Sequence, residues 1–365
     1  MSFDTKRLYV LGLALVVGLA ACDDSNGPGN GEFDAAETSA NLEAMEATFE
    51  TEAFRSLAAV GSNFQTGPAA FASATARVVQ DAHVRTGAGD RAIRQARDLQ
   101  ALAAQAIPTE LYGNSYVYSV EEEHYVLGEG EDAPENGVRV ILYAVSPVSG
   151  EIVADPLTEI GYLDIIDLDP DAGNQVAVQL IVVSEGVTYA DYTASATLGG
   201  GQGIGLAVTL DGMITDGENT AEFTLTHAAN VDFESAQVMV DYEVEVPELD
   251  FGLTVDLDVV GQEGSAETTV EVLVTGEGNF ARLAGSFTEE GGEVEVFVGA
   301  GSGGEGDLFA IITVSPTSVT VTDAEGEALT QEERETLQRI FEVIEDALDV
   351  FEDLFGPVEW AFDGE

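Results

Sequence analysis

Several groups of residues in this chain have types and spacings that could do chemistry. Asp167, Asp169 and Asp171 alternate within Asp167-Leu168-Asp169-Pro170-Asp171-Ala172-Gly173, a spacing that offers carboxylates to calcium. A twelve-residue helix–loop–helix calcium loop also needs glycine at its sixth position and glutamate at its twelfth. Those positions hold Ala172 and Val178. The three aspartates therefore stand only as candidate ligands, and the stretch reads as a turn between a strand ending at Ile166 and one starting at Gln175. Gly199-Gly200-Gly201-Gln202-Gly203-Ile204-Gly205 has the glycine content of a phosphate-cradling loop. Such a loop must open a helix whose N-terminus meets the phosphates, whereas Val208 to Leu210 reads as strand, so a hairpin connection is expected. The histidines are His83, His124 and His227. Glu121-Glu122-Glu123-His124 supplies two zinc ligands at most, and no other segment completes a set at metal-site spacing. His227 continues the alternation Phe223, Leu225, His227 and reads as an inward-facing structural histidine. No Gly-x-Ser-x-Gly elbow occurs. Paired carboxylates are so frequent that they single out no acid–base couple. No catalytic set, metal site or cofactor is assigned, and the chain reads as a non-enzyme.

The remaining candidate is Cys22, the only cysteine. Lys6 and Arg7 precede an apolar run from Leu8 to Gly18, which is too short to span a bilayer as a helix, since that takes about 20 residues. The run closes on Leu19-Ala20-Ala21-Cys22. This stretch resembles the lipobox of bacterial lipoproteins, a likeness confined to residues 1–22. The resemblance implies a signal peptide over 1–21, removed to leave Cys22 as the new N-terminus. It also implies acyl chains such as palmitate on Cys22, which would be the membrane anchor. Several chains hold far more durably than one, because each buried CH₂ adds roughly 0.8 kcal/mol. Residues 22–33, including Asp23-Asp24-Ser25-Asn26-Gly27-Pro28-Gly29-Asn30-Gly31, are polar and rich in turn formers, as expected of a flexible tether. Asp23 directly after the cysteine resembles an inner-membrane retention signal of enteric bacteria. Acidic residues there also resemble surface-export signals of other bacteria, so both destinations stay open.

The formal charge is −56, from 68 acidic and 12 basic residues. The one lysine, Lys6, lies in the leader, and from Asp98 onward 56 acidic residues face only Arg139, Arg282, Arg334 and Arg339. Nucleic acid is excluded as a partner of that part, because phosphate contacts need cations. Direct docking on anionic lipid is excluded for the same reason, which leaves the membrane to the acyl chains. The acidic surface is expected to solubilise the protein, or to meet a cationic or divalent-cation partner. With Cys22 acylated no disulfide can form, so the fold must rest on its core.

Three segments must position these residues. Residues 34–107 are alanine-rich and read as helices, with Leu42, Met45, Phe49 and Leu57 near helical spacing, a break at Gly61-Ser62, and a last helix after Asp90. Residues 108–326 switch to period two. In Ser235 to Val246, Ala236, Val238, Val240, Tyr242, Val244 and Val246 face one way. Gln237, Met239, Asp241, Glu243 and Glu245 face the other. Leu249 to Val259 repeats the pattern after Pro247-Glu248. A two-residue turn there would set Glu245 opposite Asp250. About 13 or 14 such runs with short links give an up-and-down meander with one apolar and one acidic face. Val138 to Val145, apolar on almost every residue, reads as a central strand. In residues 327–365, Thr330 and Glu333 form a capping box. Leu337, Phe341, Ile344, Leu348, Phe351 and Phe355 then make an apolar stripe, ended by Gly356-Pro357.

The expected architecture is α+β: a large, curved, mainly antiparallel sheet with an N-terminal helical segment. A C-terminal amphipathic helix packs on its apolar face, and residues 34–365 form one cooperative unit. At the level of architecture alone this layout resembles open half-barrel lipoproteins and periplasmic carriers. The first functional expectation is a lipid-anchored acidic protein of the cell envelope, on its periplasmic or surface side, with a non-enzymatic structural or protein-binding role. The alternatives are a carrier for a lipid or other apolar ligand held between sheet and helices, and a hydrolase without a recognisable motif. A continuous apolar cavity above roughly 300 Å³ would favour the carrier.

Overall fold

The computed structural model describes residues 51–63, 107, 109–130, 132–168, 175–200, 204–231, 235–262, 265–276, 278–288, 290–301, 306–331, 333–342 and 344. Residues 1–22, with Leu19, Ala20, Ala21 and Cys22, the stretch 23–33 and most of the 34–107 segment lie outside them. So do Asp169, Asp171, His83 and the stripe from Ala347 onward.

The described strands make a large, mostly antiparallel β-sheet. In chain order the elements are α1 (Glu52–Asn63), a 3-10 turn (Thr109–Leu111), β1 (Asn114–Ser119), β2 (His124–Leu127), β3 (Gly137–Tyr143), β4 (Glu159–Asp167), β5 (Gln175–Ser184) and β6 (Val187–Gly200). There follow β7 (Ile204–Thr215), β8 (Thr220–Val231), β9 (Ser235–Val246), a second 3-10 turn (Pro247–Leu249), β10 (Phe251–Gln262) and β11 (Ser265–Gly276). The last strands are β12 (Asn279–Thr288), β13 (Gly291–Ala300), β14 (Asp307–Ser315) and β15 (Ser318–Thr322). Residues 333–342 are helical and form α2. From β4 to β15 each strand lies beside its predecessor, as a meander requires. The one departure from antiparallel order is at the start. The β1–β2 hairpin folds so that β1 pairs parallel with β3, with Asn114 opposite Val138 and Tyr116 opposite Val140.

Local chemistry accounts for the links. Glu185 and Gly186 both have positive φ, 52° and 82°. That is the geometry of a two-residue hairpin turn whose twist matches its strands, and Ser184 pairs with Val187 across it. Between β9 and β10 the link is four residues long. Pro247 opens the 3-10 turn, and Asp250 closes it in the left-handed region with its N–H on the Pro247 carbonyl. Val246 therefore faces Phe251, and Glu245 faces Gly252 rather than Asp250.

The contacts divide the chain into two compact units, one with α1, β1–β7 and most of β8, the other with β9–β15 and α2. In the first, one sheet face carries a fully apolar row in register, Val140–Leu163–Val182–Ala190–Ile214, each residue buried. β3 lies between β1 and β4, with Val138, Val140 and Leu142 buried and Arg139 and Ile141 half-buried. Helix α1 packs on β2–β5. It buries Ala53, Ser56, Leu57 and Val60, spaced three and four apart along one stripe. Ser56 Oγ accepts a hydrogen bond from the Tyr143 N–H at 3.1 Å. The helix continues through Gly61 and Ser62 to Asn63, so those residues do not break it. Glycine weakens a helix by only about 1 kcal/mol relative to alanine.

In the second unit the buried row is Tyr242–Val255–Val272–Leu283–Val296–Ala310. On the same strands Asp241, Glu243 and Glu245 are exposed on the opposite face. The capping box is formed as expected. Thr330 N–H donates to the Glu333 carboxylate at 2.7 Å, and Glu333 N–H donates to Thr330 Oγ1 at 3.3 Å. Leu337, Ile340 and Ile344 are buried, whereas Phe341 is half-buried.

Candidate functional site

Among the described residues, those singled out in the sequence do not converge. Asp167 ends β4 and shares the apolar face with Val178, Ala194 and Leu210, all buried in register with it. Its Oδ2 accepts a hydrogen bond from the Tyr112 phenol at 2.8 Å, and its carbonyl accepts one from the Asn136 side-chain amide at 2.7 Å. The Asp167 N–H donates to the Asn136 carbonyl at 2.9 Å. The carboxylate thus ties Tyr112, just after the 3-10 turn, onto β4, and the Asp167 backbone holds Asn136, on the approach to β3. β5 begins at Gln175, where the sequence placed it. His124 is folded back on its own turn, with Nδ1 2.7 Å from the Glu122 carbonyl and Nε2 3.2 Å from the Glu122 carboxylate. His227 is half-buried on the side of β8 that carries Ala221, Phe223 and Leu225. At the two ends of the glycine-rich stretch Gly199 pairs with Gly205 and Gly200 with Ile204, between antiparallel β6 and β7. Among the described residues no group of three or more His, Cys, Asp or Glu is placed to hold a metal ion.

What the fold does bring together is a row of carboxylates on the polar face of β9–β11. Asp241 lies directly opposite Asp256, and Asp256 directly opposite Glu271. Opposed side chains on one face start about 4.5–5.5 Å apart, so like charges there repel. Partial burial, and then the charges of Asp241 and Glu271, raise the Asp256 carboxyl above its ordinary value. Arg282 closes one end of the row. Its Nε donates to Glu271 Oε1 at 2.8 Å, and its guanidinium carbon lies 5.7 Å from the Phe297 ring centroid. Two residues along β10, Asp258 accepts hydrogen bonds from Gln237 Nε2 at 3.0 and 3.1 Å. Opposite it stand Met239 and Thr269, which carry no charge.

No family model matches this chain, and no curated protein or solved structure matches it either. A ladder of carboxylates on a solvated strand face attracts cationic groups. Its one bound cation among the described residues is Arg282, at the Glu271 end.

Two further constellations were not legible in the sequence. Arg139 forms a two-pronged bridge to Asp164, with Nε to Oδ1 and Nη2 to Oδ2 both at 2.7 Å. The guanidinium carbon also sits 3.7 Å from the Tyr162 ring centroid. The hydrogen bonds to Asp164 raise the Arg139 pKa further. The side chains are 18% and 10% exposed, so the pair is largely withdrawn from water. It holds β3 to β4 on the face away from the apolar row. The signal in the sequence was a single charge inside each of two apolar runs, Val138 to Val145 and Ile160 to Ile166. The second constellation surrounds Tyr192 on β6, a buried residue whose hydroxyl has no hydrogen-bond partner among the described residues. Burial raises its pKa. Gly212 lies directly across from it on β7, where a Cβ would come within 2.5 Å of the Tyr192 Cβ. That space lets the Tyr192 ring meet Phe223 at 5.9 Å between centroids.

The β12–β13 turn region bears a shallow, open depression of about 490 Å³, lined by Ser286, Thr288, Glu290, Glu293 and Thr313 among others. Its open mouth and mixed lining differ from the enclosed apolar cavity that a carrier would need.

Proposed function

We propose that this protein is a lipid-anchored, extracytoplasmic protein of the bacterial cell envelope with a non-enzymatic, structural or protein-binding role. Acyl chains on Cys22 hold it to a membrane, residues 22–33 form the tether, and the sheet presents its carboxylate face to solvent. The observation that carries this reading is Leu19-Ala20-Ala21-Cys22, which places the one cysteine of the chain directly behind a short apolar run and two basic residues. The charge supports it: with almost no cations after Asp98, the folded part has no electrostatic means of its own to stay on an anionic membrane. The row Asp241–Asp256–Glu271 supports a cationic protein segment as the class of partner. The C-terminal helix packs on the apolar face of the sheet through Leu337, Ile340 and Ile344, so that only the charged face is offered outward.

The deciding experiment compares wild type with Cys22→Ser in the native host. Wild type fractionates with membranes through a high-salt wash, and its N-terminal peptide carries acyl mass on Cys22. The variant is released or accumulates as the uncut precursor. A variant that stays on washed membranes, beside a wild type without acyl mass, refutes the anchor.

A further inference from the structure

We draw no further inference here: the strongest candidate, the carboxylate row Asp241–Asp256–Glu271 on the polar face of β9–β11, belongs to the site already described, and nothing else in the structure points to a ligand for it.

Discussion

Replacing Asp256 by asparagine removes the middle charge of a row in which it faces Asp241 on one side and Glu271 on the other. Two unit charges about 5 Å apart in water repel by roughly 0.8 kcal/mol. Physiological salt, with a Debye length of about 8 Å, leaves roughly half of that. Two neighbours then give about 1 kcal/mol, within the range measured for cross-strand charge pairs. Asp256→Asn should therefore stabilise the protein by about 1 kcal/mol at pH 7. The sign of the pH dependence follows from the raised pKa of Asp256. A carboxyl whose pKa is higher in the folded than in the unfolded state contributes most below its unfolded pKa, about 3.9. That contribution is lost as pH rises through the folded value. The advantage of the variant should thus be present at pH 7, shrink as the pH falls, and vanish near pH 3.5. It should also shrink in 1 M salt, where the Debye length is about 3 Å. Urea denaturation followed by circular dichroism at both pH values and both salt levels measures this. Asp258→Asn is the internal control. Asp258 faces uncharged Met239 and Thr269 and accepts two hydrogen bonds from Gln237. Neutralising it should lower stability by about 0.5–1.5 kcal/mol, the net value of a hydrogen bond. If both variants gain equally, or if the gain of Asp256→Asn ignores pH and salt, the row does not repel and the cross-strand argument is wrong.

Other perturbations test the packing. Arg139→Ala leaves the mostly buried Asp164 carboxylate without its partner and should cost about 3–5 kcal/mol in chemical denaturation. Arg139→Lys should recover only part of that, because an ammonium cannot reproduce the fork or the stacking on Tyr162. Tyr192→Phe removes a buried hydroxyl that has no partner among the described residues and should raise stability by about 1 kcal/mol; a loss would mean the hydroxyl is hydrogen-bonded in solution. Leu337→Ala should cost about 2–5 kcal/mol, as for a leucine fully buried in a core, and a change below about 0.5 kcal/mol would place the C-terminal helix away from the apolar face.

Period-two alternation made most of the sheet legible, since it depends only on which residues of a strand share a face. Ser235–Val246 is β9 over its full length, and Asp241, Glu243 and Glu245 fall on the exposed side. Alternation is silent about which residues stand opposite each other. That depends on turn geometry, and the Pro247–Asp250 link is two residues longer than a tight turn. The longer link slides the strands without exchanging their faces. Asp241 consequently meets Asp256 instead of Thr254, and the carboxylate row arises from a register that the sequence pattern did not fix. The parallel β1–β3 pair was equally hidden, because nothing in Asn114–Ser119 tells a hairpin to turn back beyond β3. Asp167 shows the converse case. The sequence placed it in a turn, as a candidate cation ligand with Asp169 and Asp171, which lie outside the described residues; the strand reaches one residue further than Ile166. The extra residue puts the carboxylate on the apolar face, where the Tyr112 phenol engages it.

The strand order has a consequence for how the molecule can form. From β3 to β15 every pairing joins segments adjacent in the chain, several across only two residues, as at Glu185-Gly186 and Pro316-Thr317. Closing so short a loop costs little chain entropy, and that cost grows only slowly with length. Each hairpin can therefore zip onto the last without waiting for a distant partner, which gives a large β protein the low contact order usually found in helical ones. Such an array behaves as a one-dimensional chain of nearest-neighbour couplings, in the manner of solenoid repeats. A hairpin inserted or deleted along it would disturb its two neighbours and leave the remaining pairings intact.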